Sequence, residues 1–192
     1  MPQRPHQAPT PLDELITCAE GYANFSMRQI GQVPPALLAK SPDGLLHFTP
    51  NSLADERAKN EFANTARLIC VAYRATAAVL VVESWMKLAK PGESLDPTEP
   101  PSEALDRQEV VALMGEVPGQ QRQRILPIIR TDAGGFFGFG DFDVPEMDEI
   151  QGRFAQLFPP KQPSGDARQL ARAMLTAMGV TEQSLRGDWQ GN

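Results

Sequence analysis

Glu83 and Glu109 are the two residues of this chain best placed for acid–base chemistry. Glu83 falls in the strand-like run 77–88 and Glu109 opens the next such run, so antiparallel pairing on one face brings the two carboxyls together. Like charges in a partly apolar cleft, here beside Trp85, raise one of the two pKa values and create a general acid. A structural explanation competes with this one: Glu83 pairs with Lys87 further along the same face, or with Arg107 at the mouth of the strand. Nucleophilic catalysis lacks its parts. His6 lies in a Pro-rich stretch, which leaves His47 as the base for any triad, and no Gly-x-Ser-x-Gly elbow is present. Cys18 and Cys70 sit among apolar residues at helical spacing and read as buried thiols, not as nucleophiles, disulfide partners or zinc ligands.

Gly134, Gly135, Gly138 and Gly140 surround Phe136, Phe137 and Phe139. Bulky rings obstruct the close approach of a phosphate to backbone amides, and Asp141 and Asp143 repel it, so the segment reads as a bulged aromatic strand. Its alternative use is a lid over an apolar ligand. Asp141, Asp143, Glu146 and Asp148 offer oxygen ligands, but the register from Asp141 places Glu146 where a calcium loop needs glycine. Helix capping by Asp143 with Glu146 accounts for them, so neither a metal nor a cofactor is expected. Arg122, Arg124 and Arg130 share one face of a strand with Leu126 and Ile128 between them, which suits an acidic partner or the acidic loop of this same chain. A net charge of −6 and the absence of a recognised module argue against nucleic acid.

The elements that must position these residues follow from hydrophobic period. Residues 1–10 read as a disordered Pro-rich tail with no apolar core, hence no signal peptide. Thr10 caps a helix that has Pro11 at its first position and Leu12, Leu15, Ile16, Ala19 and Ala23 as its stripe, with Gly31 as the stop. Segments 36–40 and 45–48 flank Ser41-Pro42-Asp43-Gly44 and form a hairpin. Ser52 opens a second helix with Asp55 as its capping-box partner. Run 77–88 is apolar on both faces at first and belongs at the centre of a sheet. Runs 109–117 and 122–131 pair across Pro118-Gly119, and Pro127 makes the second an edge strand or a bulged one. Phe142 and Met147 staple a further helix whose stripe is Met147, Ile150, Phe154, Leu157 and Phe158; a last main helix spans about 166–178.

The expected fold is α+β: an antiparallel sheet of about five strands in the order α-β-β-α-β-β-β-α-α, with helices packed on the sheet. One domain spans 11–180, interrupted by a Pro-rich acidic loop at 89–108, and 181–192 form a tail or short helix. Over 11–178 this order resembles roadblock, longin and profilin-like domains, a resemblance that implies a non-enzymatic adaptor or small-molecule sensor. No run is long and apolar enough to span a bilayer, and the expected setting is cytoplasmic. The expected function is a protein-interaction module that binds a partner or a second copy of itself. Its binding candidates are Trp85, Lys87, Arg107, Arg122, Arg124, Arg130, Phe136, Phe137 and Phe139. The alternative is a small hydrolase or lyase working through Glu83 and Glu109, with His47 as a weaker catalytic candidate.

Overall fold

The computed structural model describes residues 8–87, 107–141 and 152–186. Helix α1 (Pro11–Ile30) begins on a capping box: Thr10 Oγ1 accepts from the Asp13 amide at 3.2 Å, and the Asp13 carboxylate accepts from the Thr10 amide at 2.9 Å. It ends at Gly31, whose φ of 73° reverses the chain where a side chain would be strained. Strands β1 (Ala36–Ser41) and β2 (Gly44–Phe48) form the expected hairpin. Helix α2 (Glu56–Ala72) is capped by Asp55, whose Oδ1 accepts from the Ala58 amide at 2.7 Å. Ser52, expected to open this helix, instead accepts from Ala54 in a turn of its own, because a carboxylate beside the first helical residue also matches the positive helix end.

Strands β3 (Ala77–Met86), β4 (Gln108–Val117), β5 (Gln120–Arg130) and β6 (Phe136–Phe139) complete a six-stranded, wholly antiparallel sheet in the order β2-β1-β3-β4-β5-β6. Helices α3 (Gly165–Ala177) and α4 (Glu182–Leu185) follow. Alternation along the strands divides the core in two. One face buries Leu38, Val79, Val81, Val111 and Leu113 under the α1 stripe. The other buries Leu37, Leu80 and Met114 under Phe62 and Ile69 of α2, Leu175 of α3 and Leu185 of α4. Among the described residues, no helix is long and apolar enough to cross a membrane.

The α+β class and the antiparallel sheet are as expected; besides the Ser52 cap, three details differ. The count of about five strands becomes six because the Phe-Gly segment is itself β6, paired with β5. Pro127 does not put β5 at an edge, since β5 lies between β4 and β6. In an antiparallel ladder a residue's N–H and C=O aim at the same neighbour. Pro127 O accepts from Gly140 N at 2.9 Å, so the missing donor faces the β6 side, just where that strand ends, and no β4–β5 bond is lost. The β5–β6 irregularity lies instead between Ile129 and Arg130.

The helix expected to run to Phe158 is the third difference. Its start, with Phe142, Asp143, Glu146, Met147, Asp148 and Ile150, lies outside the described residues, as do residues 1–7 of the tail, 88–106 of the Pro-acidic loop and 187–192 of the C-terminal segment. Over 152–164 the chain is irregular, and Gly152 and Gln156 adopt φ values of 98° and 58°, which no α-helix contains. Leu157 is nonetheless buried, and Phe154 and Phe158 pack against the same apolar cluster. Spacing that resembles a helical stripe is here a strap, fastened by polar groups described below.

Candidate functional site

Strand register decides which candidate residues meet. Glu83 faces Val111 and Trp85 faces Glu109 across the β3–β4 ladder, so all four share the α1 face and the two glutamates are diagonal neighbours. The two carboxyls are close enough to influence each other's ionisation. On β5, Ile128 continues this face and Arg130 completes the group. Its Nη2 and Nε donate to Glu109 Oε1 and Oε2 at 2.5 and 2.6 Å, a two-point fork. Gly31 turns the chain at the end of α1, and the Val33 amide then donates to Glu83 Oε2 at 2.7 Å.

These neighbours pull the two acids apart electrostatically. Burial raises the Glu83 pKa above the ordinary glutamate range and the Glu109 charge adds to this, against the lowering effect of the Val33 N–H and of Arg130. Hydrogen bonds from Arg130 hold Glu109 below that range. Glu83 is therefore the member that retains a proton longest as pH rises, and Glu109 is the fixed anion. Beside them Trp85 is 40% exposed, with the Arg107 guanidinium 4.4 Å above its ring. Lys87 follows the end of β3 on the same alternation.

The other candidates lie elsewhere. His47 is opposite Leu38, which is opposite Val79, four residues before Glu83. That places it two strands over and about 13 Å along the strand direction from the acid pair. Its ring packs edge-on to Tyr22 at 5.3 Å, its Nε2 is 3.2 Å from Thr49 Oγ1, and burial lowers its pKa. Arg122 and Arg124 do share a face with Arg130, but they join α1 to the sheet: Arg122 binds Asp13, and Arg124 Nε lies 2.9 Å from Glu20 Oε1. Of four cavities lined by described residues, none is lined by Glu83, Glu109 or Arg130. Among the described residues no group of three or more His, Cys, Asp or Glu is arranged to hold a metal ion.

Along β6 the irregular register sets Ile129 against Gly138 and Arg130 against Phe136, leaving Phe137 as the extra residue. Phe136 and Phe139, three positions apart, consequently turn to the same side, with ring centroids 5.1 Å apart, and pack on the α1 core. Arg28 lies 5.9 Å over the Phe136 ring. Phe137 is left 70% exposed.

Two polar anchors of the 153–158 strap escaped the reading of the sequence. Glu116, at the far end of β4 and almost fully buried, accepts from the Leu157 and Phe158 amides at 3.1 Å each and from Gln121 Nε2 at 3.0 Å. Arg67 of α2 donates to the carbonyls of Arg153, Ala155 and Gln156 at 2.5, 2.9 and 3.2 Å. The one signal available was a lone carboxylate following Met114 on an otherwise apolar strand face. Comparisons with protein-family models, with curated proteins and with solved structures found no match to this chain. The likeness to roadblock, longin and profilin-like domains therefore rests on element order alone.

Proposed function

We propose that this chain is a non-catalytic protein-interaction module that docks through the β6 margin of its sheet. The observation that carries this reading is the β6 margin: among the described residues β6 pairs with β5 on one side only, and its bulge leaves the Phe137 ring 70% exposed. Unpaired edge groups accept a further strand from a partner or from a second copy, and an exposed aromatic beside them supplies apolar area. Ile129, 42% exposed on the neighbouring strand, extends the apolar margin. The acid pair supports the same reading from the other direction, because Glu109 is clamped by Arg130 and Glu83 by the Val33 amide. Light scattering of the full chain against concentration tests it, with a mass of two copies expected and Phe137→Asp returning one. A single-copy mass at every concentration, together with identical captured proteins for wild type and Phe137→Asp, counts against it.

A hydrolase or lyase is the second reading, and the shared face of Glu83 and Glu109 beside Trp85 favours it. A carboxyl whose pKa is raised, Glu83, next to one whose pKa is lowered, Glu109, has the division of labour that two-acid enzymes use. It stands if chromogenic glycosides or esters are turned over by the wild type and not by Glu83→Gln; no turnover of either class removes it.

A further inference from the structure

A cavity of about 330 Å³ opens where the end of α2, the β4–β5 turn, residues 158–163 and the start of α3 converge. Its apolar lining includes Val71, Ala75 and Phe158, and Pro118, Pro159, Pro160 and Pro163 stiffen its walls because their φ angles are fixed. Three side chains of full charge line it, Arg74, Lys161 and Arg168, and all are cations. In a chain of net charge −6 such a grouping does not follow from composition. We propose that this cavity binds a small organic anion, a phosphate or carboxylate head on an apolar body. Its volume lies at the small end of the range for ligand sites, suited to a single ring carrying one charged group.

Arg74 carries the argument further. It occupies the position that closes α2, where the Ala75 amide bonds back to Cys70 O at 3.0 Å, and its φ is 55°. Glycine is the common occupant of that conformation, and a side chain there costs about 1–2 kcal/mol of strain. Non-glycine residues held this way concentrate at functional sites. The strain sets a guanidinium at the cavity rim, where it makes only a loose contact, 4.0 Å from Asp43. Arg168 spends Nη1 on Pro163 O at 3.0 Å, which ties the Pro-rich wall to α3 and leaves the rest of its fork for a ligand. Lys161 has no ion-pair partner among the described residues. Two guanidinium forks and an ammonium are the groups that recognise phosphate and carboxylate oxygens.

Cys70 lines the same cavity, yet its thiol is no competing anion. Complete burial, helped by the negative charge of Glu116, pushes its pKa up to about 12, so it remains a neutral part of the apolar wall. The site is also separate from the Glu83 group, which lies towards the opposite end of β3 and on the other face of the sheet.

The test is calorimetric titration of the full chain with phenyl phosphate, benzoate, inorganic phosphate and benzyl alcohol. Saturable one-to-one binding of phenyl phosphate or of benzoate is expected, at least tenfold tighter than benzyl alcohol and than inorganic phosphate. Which of the two organic anions binds more tightly identifies the head group. Arg74→Gly removes the guanidinium while relieving the strained φ, so it weakens binding about tenfold without lowering the melting temperature. Lys161→Met weakens it similarly, and the double variant loses saturable binding. No saturable binding, equal affinity for benzyl alcohol or for inorganic phosphate, or wild-type affinity in the Arg74→Gly and Lys161→Met variants overturns the proposal.

Discussion

The two ends of β4 put the same residue type to different uses. Glu116 lies near the end of the strand on the α2 face, buried, with three neutral N–H donors around its carboxylate. Glu109 lies near the start on the α1 face, at the edge of the core, with a guanidinium on one side and a second carboxyl on the other. Odd spacing between them guarantees opposite faces. At the first site the carboxylate substitutes for missing secondary structure: it accepts amides that an irregular strap cannot pair internally. At the second, charge itself is what must be balanced, and the balance changes with pH. A buried carboxylate in a strand is thus not by itself a sign of chemistry; the identity of its donors decides.

Removing the fastening role produces the largest effect. Glu116→Ala leaves the Leu157 and Phe158 amides without their acceptor in a buried setting, at a cost of about 3 kcal/mol. Urea unfolding monitored by circular dichroism measures it, and a loss below about 1 kcal/mol means that the strap is held by its apolar contacts instead. Arg67→Met tests the other anchor. It keeps the aliphatic stem but withdraws donors from three carbonyls, with an expected loss of about 2 kcal/mol because this side of the strap reaches water. The double variant is expected to lose less than the sum, since both anchors hold the same segment.

At the other end of β4 the effects are smaller. Arg130→Met leaves Glu83 and Glu109 facing each other without their cation, so destabilisation of about 1 kcal/mol is expected at neutral pH and markedly less where the pair is protonated. Thermal melts at pH 7 and at a pH well below the ordinary glutamate range, where Glu109 too takes up its proton, distinguish the two conditions. A loss that is equal at both values means that the guanidinium acts through packing and not through the charge of the pair.

The same contrast explains what was legible in the sequence. The parity of Glu83, Trp85 and Glu109 was readable because period-two alternation over the two runs 77–88 and 109–117 leaves few registers that keep both cores apolar, and the structure places all three on one face. Thr10, Pro11 and Gly31 bracket α1 through local rules of capping and termination. The strap was not readable. Phe154, Leu157 and Phe158 recur at helical spacing, and what overrides them is Arg67, some 86 residues earlier, and Glu116, 41 residues earlier. Arg122 and Arg124 were visible as a stripe, while their partners Asp13 and Glu20 on α1 were not, because nothing local says which helix covers which face. One bulge reversed the parity of the phenylalanines, turning Phe136 and Phe139 inward together and Phe137 out. The cationic cavity needed the whole topology, since Arg74, Lys161 and Arg168 come from three separate stretches.

The most delicate probe is Glu83→Gln, which keeps an acceptor for the Val33 amide and removes only the charge. Glu83 has a higher pKa folded than unfolded, so the fold binds its proton more tightly. Its contribution is complete below the ordinary glutamate range and is lost as pH rises through the raised value. Glu109, held low by Arg130, behaves oppositely: its contribution is present above the ordinary range and lost as pH falls through its lowered value. The substitution abolishes the first term and leaves the second. Wild type and variant should therefore have nearly equal stability at low pH and separate as pH passes above the ordinary glutamate range, with the variant the more stable at pH 7 by about 0.5 kcal/mol after solvent screening. Parallel stability curves across pH would show that the two carboxyls do not share their charge, and the contrast between the two ends of β4 would then reduce to burial alone.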